Sequence, residues 1–507
     1  MKKNKFYSFL DKFLNKIELS NFEFIVLLVI FIISIFLRFI NYTNRWGLAY
    51  DQSRDVIVSH QILLEMEIPV SGPFSASGPF VFGPIWYWFH ALFTLLNPSS
   101  VMWLWIVQTS ISTLMPLVMF IVGRKIINSH FGLLLGFFTA ISTAQIAQAT
   151  NLTYSSFAGF FSVFILLFFV FFIKSKKTIY IFLMSLFMGL AMNIHFQAVG
   201  YFLFLPIIIL LNLKSPKNIF FIILGFFIPF IPLIFFDFTS NHYQSRNIVE
   251  YLLNGGSANS LPKRWLIYVG EFWPKAYSHI IGGYSPIGIL IGTISFLVVL
   301  YSFFKKKINL TILFIGIFFI LNFIVLRYFK GNIFDAFLVY LHPSILIITA
   351  WVVYTIFKWN KYAGIMLFLI ISSFTFIKNY EEISNATNHT AVYSLSFMNK
   401  IRTIYPNEKF AVYDYEFETS NRSYPIVMYM MKNDLLNDEG RKIGFLQATI
   451  SAELEIHNAP LILGTLNENI LLDLNRYTRE ELEEKGWVFI NPSGVYESVI
   501  KWYEKEN

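Results

Sequence analysis

The stretch Tyr50-Asp51-Gln52-Ser53-Arg54-Asp55 follows the first long apolar run of the chain, and the residues after it, 56–66, contain no Gly or Pro. Asp51, Arg54 and Asp55 are spaced i, i+3, i+4, so a helix would place all three side chains on one face. We therefore predict a short helix at a membrane surface that holds two carboxylates and one guanidinium together. Because almost all the rest of the chain is apolar, this cluster is where we expect the chemistry.

The composition is that of a polytopic membrane protein. Of the 507 residues, 56% are hydrophobic and 14% are charged, whereas soluble domains carry roughly 25% charged residues. The chain has no Cys, which excludes disulfides and thiolate metal sites but leaves zinc bound by His and carboxylates open. The net charge of +8 comes from short basic loops between apolar runs, so it indicates orientation and not nucleic-acid binding.

The basic loops also set the topology. Lysines precede the first apolar run, which places the N-terminus in the cytoplasm. The run 85–96 is too short to cross and is predicted to lie on the membrane surface; every later basic loop then falls inside. We predict eleven spans in the plasma membrane: 23–40, 101–122, 131–149, 156–173, 178–195, 197–212, 218–236, 282–303, 309–326, 337–357 and 362–377.

The chain is predicted to have two parts. Residues 1–377 form a transmembrane module with a first polar loop (41–100) and a second polar loop (237–281), both outside. Residues 378–507 alternate short β-type runs with helix-like stretches, which predicts a small soluble α/β domain outside the membrane. The β-type runs are 410–413, 443–446, 461–463 and 487–490, and one helix is predicted at 477–485.

Ionisable residues near membrane spans are costly and are functional candidates. Here they cluster at the predicted outer ends of spans, whereas an ion-coupled carrier places charges near the midplane on broken helices. This distribution favours an enzyme acting at the outer surface on a lipid-borne substrate. The candidate substrate-binding residues are Arg38, Tyr87, Trp88, His195, Gln197, Asp237, His242, Arg327 and His342.

A lipid-linked phosphosugar fits these residue types. Arginines and histidines would hold its phosphate through charge-assisted hydrogen bonds. A carboxylate of the cluster would take the proton of an acceptor hydroxyl as this hydroxyl attacks the anomeric carbon. Aromatic residues such as Tyr87 and Trp88 would stack on the sugar or the prenyl chain.

The motifs resemble glycosyltransferase family 39. Residues 51–55 resemble the family's Asp-Glu-x-Arg-Tyr motif, residues 83–88 resemble its Lys-Pro-Pro-Leu-x-Tyr-Trp segment, and Gly123-Arg124-Lys125-Ile126 resembles its Gly-Arg-Arg-Leu loop. The resemblance implies a GT-C fold, a polyprenyl-phosphate-linked sugar donor and Asp51 as the catalytic carboxylate, with Arg54 beside it. The chain departs from the family at four positions: Gln52 replaces Glu, Asp55 replaces Tyr, Phe82 replaces the lysine that contacts the lipid phosphate, and Asn151 lies near the position of a second-loop Asp.

Alternative roles remain for these residues. The cluster is also typical of a solvated helix face, and Asp55 is as well suited to pairing with Arg54 as to catalysis. Arg38 fits a side chain that snorkels to the headgroups, His195 a packing residue, and Trp88 an interface anchor. Asp51 and Asp55 are a weak signal for a divalent ion.

The function has alternatives of its own. The preferred reading is a cell-envelope glycosyltransferase with a lipid, glycan or protein acceptor. A flippase or transporter of lipid-linked sugars would use the same phosphate-binding cations. A surface receptor would work through residues 378–507.

Overall fold

The computed structural model of the protein describes residues 19–75, 80–254, 264–328, 337–415, 423–447, 461–466 and 469–500. Within these residues, eight helices are long and apolar enough to cross a membrane, or nine if one bent pair counts as a span. The chain is a polytopic helical membrane protein, as predicted. The helices at the predicted spans are α1 Asn21–Phe39, α4 Trp103–Ile126, α5 Ser129–Ile141, α6 Thr143–Thr150, α7 Tyr154–Ser175, α8 Thr178–Ile194, α9 Val199–Leu210, α10 Pro216–Phe227, α11 Ile231–Thr239, α15 Ser285–Phe304, α16 Leu310–Arg327, α17 His342–Trp359 and α18 Lys361–Ser384.

Three of the eleven predicted spans are not among the eight long apolar helices of the described residues. The third is the pair α5 and α6, which meet at an angle of 53°. Ser142 lies at the break, where its hydroxyl caps the first turn of α6 and donates a hydrogen bond to the carbonyl of Ile280. The fifth and sixth are the short apolar helices α8 and α9, which a 3₁₀ turn at Phe196–Ala198 separates.

Local sequence explains where helices begin and how closely they pack. Ser20 and Glu23 form a capping box at the start of α1, which satisfies exposed backbone N–H groups there. At the hairpin between α4 and α5, a Cβ on Gly123 would stand 2.9 Å from the Cα of Gly132. Only glycine allows this approach, so the Gly-Arg-Lys segment marks a tight contact between two membrane helices.

The first polar loop contains two helices. The motif residues lie in α2, Tyr50–Glu65, and the short apolar run forms α3, Ile85–Thr94. At 10 residues α3 is too short to cross a membrane. The second polar loop is also helical where it is described, in α12 Tyr243–Asn254, α13 Arg264–Ile267, a π-helical turn at Tyr268–Phe272 and α14 Trp273–Ile280.

The C-terminal part is an α/β unit, as predicted. Its five-stranded sheet has the order β3-β4-β2-β1-β5, and only β1 and β2 pair in parallel among these strands. The predicted strands are present, and a fifth, β4, was not predicted. The elements are α19 His389–Ile404, β1 Phe410–Tyr415, α20 Ser423–Lys432, β2 Arg441–Gln447, β3 Leu461–Leu466, β4 Asn469–Asp473, α21 Arg479–Glu484, β5 Trp487–Ile490 and α22 Pro492–Ile500.

The hydrophobic core runs through both parts of the chain. One cluster of buried side chains extends from Leu37 in α1, through Ile57 in α2, to Phe410 and Ile443 in the sheet. Helices α20 and α22 pack against α2. The C-terminal unit therefore covers one side of the helix that carries the motif.

Candidate active site

The predicted motif cluster forms in α2. The Nη1 of Arg54 lies 2.8 Å from Oδ1 of Asp51. On its other side, Nη2 and Nε of Arg54 lie 2.8 and 2.9 Å from Oδ1 of Asp55. One guanidinium thus bridges two carboxylates, as the helical spacing predicted.

The two carboxylates differ in exposure. The Asp51 side chain is 53% exposed, whereas the Asp55 side chain is 1% exposed. The indole Nε1 of Trp86 donates a hydrogen bond of 2.7 Å to Oδ2 of Asp55, and the Tyr87 hydroxyl lies 3.4 Å from Oδ1. Asp55 is therefore enclosed by its partners, and Asp51 is the carboxylate that an incoming molecule can reach.

Burial sets the electrostatics of Asp55. It raises the pKa of this carboxyl to about 6, although the nearby Arg54 guanidinium opposes the rise. Burial alone lowers the pKa of Arg54, but the carboxylates of Asp55 and Asp51 raise it well above its usual value. Burial also raises the pKa of Tyr87, which keeps its hydroxyl protonated as a donor. At neutral pH the pair is ionised and holds the cluster in place.

The Gly-Pro segment before α3 is fixed by close backbone contact. The N–H of Gly83 donates to the carbonyl of Asn193 at 2.8 Å, and a Cβ on Gly83 would stand 1.8 Å from Oδ1 of Asn193. A side chain at this position would meet the buried Asn193 amide, so the glycine allows the segment before α3 to pass close against α8.

His195 lies inside this packing. Its ring stacks on Phe82, with centroids 5.6 Å apart and an interplanar angle of 14°, and lies 5.5 Å from the ring of Tyr154. The residue is 4% exposed. These contacts indicate that His195 packs against the first polar loop at Phe82, the residue that the motif resemblance aligns with a lysine.

Arg38 is held in the protein interior. It is fully buried and donates to Oγ of Ser112 and Ser34 at 3.0 Å, and to the carbonyls of Ala140 and Thr139 at 3.0 and 3.3 Å. All these acceptors are neutral and belong to α1, α4 and α5. The arrangement indicates a residue that ties three membrane helices together.

Other predicted site residues fall into separate groups. Trp88 is 38% exposed, and its Nε1 donates to the carbonyl of Pro69. Asp237 lies 3.7 Å from Nδ1 of His242 and accepts a hydrogen bond from the backbone N–H of Ser245. Gln197 lies in the 3₁₀ turn after α8, and its side chain lies outside the described residues.

Arg327 and His342 have contacts of different kinds. The Arg327 guanidinium carbon lies 4.7 Å from the ring centre of Trp265 and 5.4 Å from that of Tyr328. His342 is fully buried, and its Nδ1 lies 3.1 Å from Nε2 of Gln145. Arg327 therefore presents a cation on an aromatic surface, whereas His342 belongs to the interior of the helix bundle.

Two contacts were not anticipated from the sequence. Gln244 holds the backbone N–H and carbonyl of Val81 at 3.0 and 2.9 Å, which ties the second polar loop to the first. Gln52 donates a hydrogen bond of 2.9 Å to Oδ1 of Asn151. In the sequence, the only sign of this contact was that Gln52 and Asn151 both depart from the motifs that the chain resembles. The structure pairs these two side chains directly.

A polar cleft of about 320 Å³ adjoins this amide pair. It lies between the end of α1, the end of α6 and the end of α18, and its walls include Arg45, Asn151 and Glu382. Among the described residues, no group of three or more His, Asp and Glu side chains is placed to hold a metal ion.

No protein-family model matches the chain, and no curated protein matches it significantly. Solved structures do match. ArnT from Cupriavidus metallidurans in the apo state is similar over 89% of this chain and 97% of its own, with a TM-score of 0.61 and 10% identity. The same protein bound to undecaprenyl phosphate gives equal coverage, a TM-score of 0.59 and 8% identity.

An oligosaccharyltransferase from Archaeoglobus fulgidus, in complex with Zn and sulfate, is similar over 83% of this chain and 67% of its own. The TM-score is 0.52 and the identity 13%. Likeness at such identities establishes the fold. Both proteins are GT-C membrane proteins, so the chain has the GT-C fold that its motifs predicted.

Proposed function

We propose that the protein is a membrane glycosyltransferase that moves a sugar from a polyprenyl-phosphate-linked donor to an acceptor outside the cytoplasm. The observation that carries the proposal is the asymmetry of the motif cluster. Arg54 holds one exposed carboxylate, Asp51, and one buried carboxylate, Asp55. A pre-oriented, accessible carboxylate is what a general base requires.

The proposed reaction is a single displacement. Asp51 takes the proton of an acceptor hydroxyl, whose oxygen forms a bond to the anomeric carbon. The bond between this carbon and the phosphate oxygen breaks, and polyprenyl phosphate leaves with the bonding electrons. One displacement inverts the anomeric configuration, and one carboxylate suffices as base.

The leaving phosphate needs a cation. Arg327 is our candidate, because its guanidinium packs on Trp265 and Tyr328 and, among the described residues, no carboxylate is paired with it. An arginine placed in this way is free to form two parallel hydrogen bonds to a phosphate. Negative charge that develops on the departing oxygen would be stabilised there.

The fold supports the class of donor. One of the similar structures is ArnT bound to undecaprenyl phosphate, and ArnT matches this chain over most of its length. The cleft bordered by Asn151, whose amide pairs with Gln52 of the motif helix, contains amide, guanidinium and carboxylate groups, which are suited to hydroxyl-rich molecules.

The test begins in the native cell, because the acceptor is to be identified. Mass spectrometry of surface glycans should show one sugar addition that is lost when the protein is absent and restored by the wild-type chain. Asp51→Asn should insert and fold but fail to restore it. Asp434→Asn is the matched control, since this carboxylate is exposed and pairs only on the surface, with Lys409 at 2.8 Å.

A second assay separates an enzyme from a flippase. The purified protein would be mixed with the lipid-linked sugar fraction extracted from the same cells, together with the acceptor identified by mass spectrometry. A glycosyltransferase releases free polyprenyl phosphate, whereas a transporter releases none. Full activity of Asp51→Asn in this assay would refute the role of Asp51.

A further inference from the structure

The C-terminal unit contacts the motif helix through aromatic rings. Tyr424 of α20 stacks on Tyr50, the first residue of α2, with centroids 4.6 Å apart and an interplanar angle of 21°. Tyr424 is 2% exposed. At the other end of α2, the Tyr496 hydroxyl of α22 lies 3.3 Å from Oε2 of Glu67.

The Tyr50 ring links this contact to the cluster. The guanidinium carbon of Arg54 lies 5.6 Å from the centre of the Tyr50 ring, within the range of a cation–π interaction. Arg54 in turn holds the Asp51 carboxylate at 2.8 Å. A chain of direct contacts therefore runs from Tyr424, through Tyr50 and Arg54, to Asp51.

The C-terminal unit is also fastened on both sides of α2. Nδ2 of Asn388 donates to the carbonyl of Trp46, before the helix, at 2.6 Å. Nζ of Lys432 donates to the carbonyl of Pro98, after the helix, also at 2.6 Å. Lys432 is 8% exposed and Asn388 is 7% exposed. These buried contacts fix the unit to the first polar loop, so the Tyr424 ring has a defined position.

We propose that the C-terminal unit is part of the catalytic apparatus and that Tyr424 is a positioning residue for the transfer reaction. Its ring limits the movement of Tyr50, which supports Arg54, which orients Asp51. This inference rests on the proposed function, since it assigns Tyr424 a role through the Asp51 carboxylate. Loss of the ring should lower kcat and leave the KM for the lipid-linked donor unchanged, because the proposed function assigns the donor phosphate to Arg327 and not to this chain of contacts.

The test compares three variants of the full-length protein. Tyr424→Leu removes the ring but retains apolar bulk, and Tyr424→Phe retains the ring. Tyr496→Phe removes the hydroxyl contact that the same unit makes with Glu67. With the lipid-linked sugar fraction as donor, Tyr424→Leu should lower kcat ~10-fold, since small displacements of a catalytic group are costly. Tyr424→Phe and Tyr496→Phe should stay within about 2-fold of wild type.

Hydrogen exchange supplies a readout that does not depend on activity. Backbone amides of residues 51–55 should exchange faster in Tyr424→Leu than in Tyr424→Phe or Tyr496→Phe. If Tyr424→Leu lowers the melting temperature, Tyr50→Leu removes the other ring of the stack and serves as the same test.

The outcomes separate the two proposals. Unchanged kcat in a folded Tyr424→Leu protein, or an equal loss in Tyr424→Phe, would overturn the positioning role. Full activity of Asp51→Asn would instead remove the proposed function, and the exchange rates would still report whether the C-terminal unit restrains the helix.

Discussion

Two regions at the same end of the molecule each bury an arginine, and they hold it differently. At the end of α1, Arg38 is surrounded by hydroxyl and carbonyl oxygens of three membrane helices. In α2, Arg54 lies between two carboxylates, one of which is exposed. Both guanidiniums were candidates for binding a phosphate when only the sequence was considered.

The two arginines differ in whether one of their hydrogen-bonding partners remains exposed. The neutral partners of Arg38 use its donors inside the protein, and this region therefore serves to join helices. The partners of Arg54 are charged, and the Asp51 carboxylate retains exposed oxygen. This difference is why we propose Arg54, and not Arg38, as the arginine of the reactive site.

Among the substitutions that test this contrast, Arg54→Lys should have the largest effect on the transfer rate. A lysine is a point charge and does not bridge two carboxylates as a planar guanidinium does. We expect the transfer rate to fall ~100-fold, because Asp51 loses its fixed orientation. Release of polyprenyl phosphate by the purified variant measures this. A rate near that of wild type would show that orientation by Arg54 is not needed.

Asp55→Asn should lower both stability and the transfer rate, because a neutral side chain holds Arg54 less firmly. Removing one partner of a buried ion pair costs about 3 kcal/mol, but the substitution also removes a charge that burial disfavours, as the raised pKa of Asp55 shows. The exposed Asp51 still pairs with Arg54, so the net loss of stability should be smaller than that. Thermal unfolding in detergent, followed by tryptophan fluorescence, measures it, and Asp434→Asn is again the control. An unchanged melting temperature would contradict the importance of the buried pair.

Arg38→Lys should reduce stability without altering catalysis. Lysine satisfies fewer of the buried acceptors around this position, and unmet buried hydrogen bonds cost about 1–3 kcal/mol. The folded fraction should show the same kcat and donor KM as wild type. A raised KM with an unchanged melting temperature would instead indicate that Arg38 binds the donor phosphate.

The smallest effect is a pH dependence that arises from Asp55. Its pKa in the folded protein is about 6, above the ordinary value of 3.8. Because the folded state binds this proton more tightly, the group contributes stability below pH 3.8 that is lost as the pH rises through about 6. Protonation of Asp55 nevertheless weakens its ion pair with Arg54. The transfer rate should therefore fall below about pH 6 while the protein remains folded.

Transfer rates and melting temperatures measured between pH 5 and 8 test this, a window that brackets the Asp55 pKa of about 6. Asp55→Asn is neutral at every pH, so its rate profile should be flat at the low level that the wild type reaches below about pH 6. If the rate of the variant still falls at the same pH, another group is responsible for the fall.

Local patterns predicted much of this structure. Apolar runs of sufficient length predicted the membrane helices, and the i, i+3, i+4 spacing predicted both α2 and its cluster, since each depends on neighbouring residues only. The break at Ser142 was not predicted from the apolar run that contains it. Strand β4 was missed as well.

The surroundings of the cluster could not be predicted in the same way. Asp55 meets Trp86, His195 lies under Phe82, and Tyr424 reaches Tyr50. Each of these contacts depends on how distant segments pack, which the residue spacing within one helix does not encode. The sequence therefore indicates which residues are present at the site, and the fold determines which of them is accessible.

The hydrogen bonds between Gln244 and Val81 span 163 residues, and the stack on Tyr50 comes from still later in the chain. During synthesis, the motif helix leaves the ribosome long before these partners exist. The helix therefore matures only after translation has reached the C-terminal unit. We therefore expect a chain that ends before the C-terminal unit to insert its first membrane helices without the contacts that surround the motif helix in the full-length protein.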